Sequence, residues 1–109
     1  HHKTNTGYAN IDIIEGNASS TSEIVYEIAK ALNWKINLDC AICLYTGILT
    51  DTGSFRFDNT PPQALNFASE LVSIGVKPNE MYKLCYETNS KAMTLFQAYC
   101  INKATFLNI

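Results

Sequence analysis

Residues 47–57 read GILTDTGSFRF, and the way this stretch is read decides the fold. Upstream of it, Ala41, Leu44 and Ile48 recur on one helical stripe while Ile42, Tyr45 and Leu49 recur on another, so the spacing predicts a helix over 39–50. Two apolar stripes predict that this helix is buried on most of its sides. It runs into Asp51 and then Thr-Gly-Ser, where the backbone has to turn sharply. A carboxylate on the end of a rigid buried element, beside a glycine turn that leaves room for a ligand, suits a metal ligand. An aspartate that only ends the helix and hydrogen-bonds the turn has the same spacing, so the residues alone leave both readings open. Arg56, the single arginine of the chain, lies between Phe55 and Phe57. Its stem can pack on them and its head pair with Asp58, or its planar fork can take a phosphate through two parallel hydrogen bonds.

Working outward, NIDIIEG (10–16) alternates polar and apolar residues before Ile13 and Ile14, and it reads as a short strand ending at Gly16 and Asn17. In the next segment Ser20 and Glu23 fit a capping box, and Ile24, Ile28 and Leu32 share a face, which predicts a helix over 21–33. Beyond the central helix, SFRFD (54–58) reads as a brief extended piece. Thr60-Pro61-Pro62-Gln63 then restarts the chain with a cap, prolines in the first turn and a capping-box glutamine, and that helix is expected to run to Ile74 and stop at Gly75. Pro78 opens a short helix carrying Met81, Leu84 and Cys85. Asn89 or Ser90 caps a last one carrying Met93, Phe96, Cys100 and Leu107.

The composition bounds the class. At 109 residues, 47% hydrophobic and 17% charged, the chain has material for one domain or part of one. A net charge of -2 provides no broad basic face, so long nucleic acid is not expected to be held by its phosphates alone. Ala41–Leu49, the longest apolar run, is too short to span a bilayer. Cys40, Cys43, Cys85 and Cys100 fall in stretches read as amphipathic helices, which suits buried free thiols in a reducing compartment and favours the cytoplasm. Cys40 and Cys43 form a C-x-x-C, but no second pair or nearby histidine completes a structural zinc set, so they read as small core residues one turn apart.

The chain opens with HHKTN. Two histidines there can be the scar of an expression tag or part of an active site. Taken in order and spacing, HHKTNTGYANIDIIEG (1–16), ASSTSEIVYEIAKAL (18–32), LYTGILTDTGSFRFDNT (44–60) and TPPQALNFASELVSIGV (60–76) resemble the second half of the catalytic domain of the DHH phosphoesterases, in particular their nanoRNase and pAp-phosphatase branch. That family is named for an Asp-His-His motif, commonly followed two residues later by Asn. His1, His2 and Asn5 match its last two letters and that Asn, which favours the active site over a tag. The family's first Asp and its upstream Asp-x-Asp motif have no counterpart here.

The resemblance implies an α/β fold of which this chain is the mostly helical C-terminal half, with the parallel sheet lying largely upstream. It implies that 1–88 complete the catalytic domain, and that 89–109 begin a linker helix toward a smaller C-terminal substrate domain. The chain is expected to be a piece of something longer. The family holds two divalent ions, usually Mn2+, which activate a water against a phosphoester. On the matching positions His1 and Asp51 would ligate metal, His2 would face the substrate phosphate, and Asn5 would orient the His-His turn from behind; Arg56, read from its own planar fork, is the further candidate to grip that phosphate. The implied substrates are short oligoribonucleotides (nanoRNA) and 3′-phosphoadenosine 5′-phosphate, with a cyclic or linear dinucleotide as the alternative. The piece alone is expected to be inactive, and a homodimer is possible. The reading from a different class is a non-catalytic helical interaction domain with a tag-derived His-His.

Overall fold

The computed structural model describes residues 1–4 and 6–105. Five helices follow one another: α1 (Thr21–Ala31), α2 (Leu38–Asp51), α3 (Pro62–Ile74), α4 (Pro78–Tyr86) and α5 (Lys91–Lys103). Among the described residues there is no strand. The helical part of the expectation therefore holds for this chain. None of the five helices is long and apolar enough to cross a membrane.

α2 is the centre. It packs against α1, α3 and α4, and its two apolar stripes bury Ala41, Leu44, Tyr45, Ile48 and Leu49. Ile48 and Leu71 of α3 are fully enclosed, with Phe67 and Tyr26 completing the layer between α1 and α3. The rings of Tyr26 and Phe67 meet edge to face with centroids 4.9 Å apart, the arrangement that aromatic quadrupoles favour. α1 approaches α2 closely because position 47 is glycine. A Cβ there would run into the Ser22 side chain.

The ends of the elements follow local chemistry. Ser20 Oγ accepts from the Glu23 backbone N–H at 3.2 Å, as the capping box requires. The Glu23 carboxylate does not return to Ser20, however. It accepts from the backbone N–H and the hydroxyl of Ser19, each at 2.7 Å, so the reciprocal bond is displaced by one residue. α1 ends before the expected Asn33, because Asn33 itself takes a left-handed φ of 54°. At α3 the expected cap is not made. Its N-cap position is Pro61, with no side-chain cap hydrogen bond, and the Thr60 hydroxyl donates instead to the Phe57 carbonyl at 2.7 Å. α3 does stop at Gly75, whose φ is 125°.

Three other expectations are corrected. Residues 10–16 do not form a strand, and Ile11 and Ile13 lie exposed. A strand needs a neighbour for its N–H and C=O groups, and none of the described residues provides one. SFRFD is a tight turn rather than an extended piece, with φ near +60° at Ser54 and Phe55. The cysteines are free, as expected, but not buried. Cys85 is half-buried and the other three are exposed. Cys40 and Cys43 lie on the outward side of α2, at an apolar cleft of about 400 Å3 shared with Trp34 and Ile36.

α5 is capped by Ser90, whose hydroxyl accepts from Met93 N–H at 3.1 Å, yet it buries no residue. Leu107, expected on the same helix, lies outside the described residues. With α5 burying nothing and residues 6–15 exposed, the radius of gyration is 17.5 Å. A compact chain of this length would have about 13 Å.

Candidate active site

The site is built where α2 ends. Thr52 follows Asp51 and is fully buried. Its hydroxyl donates to the Ile48 carbonyl at 2.7 Å and accepts from Phe55 N–H at 3.0 Å. Its own carbonyl accepts from the N–H groups of Arg56 and Phe57, at 3.0 and 3.1 Å. One threonine thus fixes a turn in which Gly53, Ser54 and Phe55 all take φ between 55° and 62°. Such φ values cost non-glycine residues of the order of 1 kcal/mol each, and they persist where surrounding bonds over-determine them. Phe57 closes the turn by laying its ring against Gly53, where a Cβ would collide with it.

His1 comes back to this end of α2. Its Nε2 stands 3.7 Å from Asp51 Oδ2, and its Nδ1 is hydrogen-bonded to Thr21 Oγ1 at 3.2 Å. The His1 side chain is 18% exposed and that of Asp51 42%, so solvent reaches both. The rings of His1 and His2 lie with centroids 4.2 Å apart, tilted by 34°. Together with Thr4, Tyr8, Ile13 and Thr21 they line an open pocket of about 410 Å3.

The structure therefore brings His1, His2 and Asp51 to one place, although fifty residues separate the first from the last. Arg56 belongs to the turn next to them but does not line the pocket. Its Nε donates to the Gly53 carbonyl at 2.7 Å, which commits one donor to the turn and leaves the terminal edge of the guanidinium for other use. The expected alternative, an Arg56–Asp58 pair, is not among the ion pairs of the described residues. Asn5 lies outside the described residues. Reading of the residues missed Thr21, Thr52 and Asn59. Of these, Thr52 alone had a local signal, a threonine between the helix end and a glycine.

A divalent ion can be tested against the donors present. One imidazole nitrogen and one carboxylate oxygen suit a borderline first-row cation such as Mn2+. With bonds near 2.1 Å, ligand atoms on a six-coordinate ion stand about 3 Å apart when adjacent and about 4.2 Å when opposite. The 3.7 Å between His1 and Asp51 matches neither, but it corresponds to an angle of about 120° at an ion bonded to both, the equatorial angle of a five-coordinate ion, so the pair fits as part of such a shell. Among the described residues no third His, Cys, Asp or Glu joins them.

Comparison with known proteins bears on the family. No family model matches the chain. It is 35% identical over 87% of its length to the bifunctional oligoribonuclease and PAP phosphatase NrnA of Bacillus subtilis, of which it covers 31%. It is 37% identical over 74% of its length to the protein of the same name from Thermus thermophilus, of which it covers 25%. Among solved structures, an exopolyphosphatase-related protein from Bacteroides fragilis matches 98% of the chain at a TM-score of 0.92 and 28% identity, with 32% of that protein covered. The chain belongs to the DHH phosphoesterases. It spans about a third or less of the length of these relatives. The largely buried turn after Asp51 belongs to the TDTGSF segment on which the resemblance rests.

Proposed function

We propose that this chain contributes part of a two-metal phosphoesterase centre that hydrolyses short oligoribonucleotides and 3′-phosphoadenosine 5′-phosphate. The observation that carries the reading is the 3.7 Å approach of His1 Nε2 to Asp51 Oδ2, beside His2, in a chain related to proteins named for oligoribonuclease and PAP phosphatase activity. Those names favour this substrate class over a dinucleotide alternative.

In this reading His1 and Asp51 hold metal. His1 is suited to it by its bond to Thr21: with the proton on Nδ1 and donated to the threonine oxygen, the Nε2 lone pair faces Asp51. A pair of bound Mn2+ ions would lower the pKa of a water to near neutrality and clamp phosphate oxygens. His2, exposed beside His1, donates to the substrate phosphate and offsets charge that develops on it. Arg56 presents its terminal N–H groups to a second phosphate oxygen, its Nε being held by Gly53. A few nucleotides gripped by metal and such local donors need no basic stripe, which reconciles phosphate chemistry with a net charge of -2. The remaining metal ligands belong to residues outside this chain, residues 89–109 lead toward a substrate domain, and the setting is the cytoplasm.

The test is Asp51→Asn in the whole protein. It keeps the shape of the side chain and removes the charge that holds metal, so Mn2+-dependent hydrolysis of a short RNA and of pAp is expected to fall by at least about 100-fold with the circular dichroism spectrum unchanged. Retention of most of the activity overturns the reading. So does full turnover by the 109-residue chain on its own.

A further inference from the structure

We propose that Asn59 is a positioning residue of this centre, tying the Asp51 end of α2 to the segment that holds His1. The inference rests on the reading of His1 and Asp51 as metal ligands. Asn59 lies beyond the turn, and its side-chain NH2 makes two bonds at once. It donates to the backbone carbonyl of Asp51 at 3.1 Å and to that of Ser19 at 3.3 Å. An amide nitrogen has two hydrogens, so both bonds are satisfied together.

What lies at each end gives the bridge its meaning. The Asp51 carbonyl is one of the last four of α2, which have no partner within the helix. Ser19 is fully buried, and its N–H and hydroxyl are both held by the Glu23 carboxylate at 2.7 Å. It is an anchor that does not move independently of α1. Two residues on, Thr21 opens α1 and bonds to His1 Nδ1. Contacts thus close a ring from His1 through Thr21 and Ser19 to Asn59, on to Asp51, and back to His1 across 3.7 Å. Asn59 is the member that joins the aspartate side of the ring to the histidine side through hydrogen bonds. Its own side chain is exposed, so its removal takes little from the core. What it removes is the constraint on the distance between the two ligands. Groups that orient metal ligands from behind are worth about 10- to 100-fold in metal affinity.

The experiment measures Mn2+ binding in the absence of substrate, by the electron paramagnetic resonance signal of free Mn2+, on the whole protein and on Asn59→Ala and Asp51→Asn. Asn59→Ala is expected to weaken Mn2+ binding about 10- to 100-fold, with its lost hydrolysis restored at high Mn2+. Asn59→Leu, of similar size and without donors, reads the same quantity if the alanine variant folds poorly. Affinity within about threefold of the unaltered protein overturns the inference, whether or not the melting temperature falls, because a purely structural amide changes stability alone. If Asp51→Asn loses Mn2+ while the Asn59 variants keep it, the positioning role fails and the proposed site stands. If Asp51→Asn also keeps Mn2+, both fail.

Discussion

Phe57 lies against Gly53 so closely that no Cβ fits between them, and it does so at a residue whose φ is +55°. Two effects therefore meet in Gly53→Ala: left-handed strain of about 1–2 kcal/mol, and displacement of the Phe57 ring, which is 55% exposed and can swing outward at lower cost than a core side chain. The variant is expected to lose about 1–3 kcal/mol in urea unfolding. Phe57→Ala in the same background is expected to recover the displacement part and leave the strain.

Arg56 separates two kinds of loss. Its Nε bond to Gly53 is one that lysine cannot copy, and the planar fork goes with it. Arg56→Lys in the whole protein is expected to raise KM for pAp by about 10-fold and to lower kcat less, as for a residue that grips substrate and transition state alike. A steady-state comparison of the two constants checks this. An equal fall in kcat with KM unchanged would assign Arg56 to the transition state instead.

The contact between α1 and α3 carries a pH dependence. Lys30 bonds to both oxygens of Glu70, at 2.8 and 2.6 Å, and Tyr26 donates to it at 2.9 Å. The Lys30 bonds, with help from Tyr26, hold the Glu70 carboxyl below its ordinary value. A depressed carboxylate contributes stability that is present above the unfolded value of about 4.3 and lost as pH falls through the lower folded one. Burial, then the bond to Glu70, pushes Tyr26 up to about 12, so its contribution is lost as pH rises from about 10 through that value. Melting temperature against pH is expected to fall on both flanks. Glu70→Gln is expected to shallow the acid flank by a small amount, since Lys30 and Glu70 are both substantially exposed.

Gly47 sets α1 against α2. In an isolated helix Gly→Ala would gain about 1 kcal/mol, but here the new methyl meets the Ser22 side chain, including its Cβ. Overpacking of about 1–3 kcal/mol outweighs that gain, so Gly47→Ala is expected to be destabilising on balance. Ser22→Gly in the same chain is expected to reverse the sign. Chemical denaturation of the three variants checks it.

What could be read from the residues and what could not divide along physical lines. α2 was legible because each of its buried positions repeats at helical spacing, and Asp51 because it closes that pattern. The strand over 10–16 was misread because alternation reports one face of a sheet, while a sheet also needs a neighbouring backbone that these residues do not provide. Residues 54–58 were misread as extended for another reason. Ser54 and Phe55 have no preference for left-handed backbone, and buried Thr52 imposes it through bonds that the order of residues does not reveal. Thr21 and Asn59 were silent because their partners lie 20 and 40 residues away. The His-His pair itself carried meaning only through family resemblance.

α5 has thirteen residues and no buried side chain. Helices of that length are marginal in water without packing, so α5 owes its order to its cap and its own backbone bonds. In native-state hydrogen exchange, its amides are expected to open by local fraying within a small fraction of the global unfolding free energy. Those of α2 around Ile48, enclosed on three sides by other helices, exchange only when the whole bundle opens. One chain thus carries two separate clocks for its backbone, divided near Ser90.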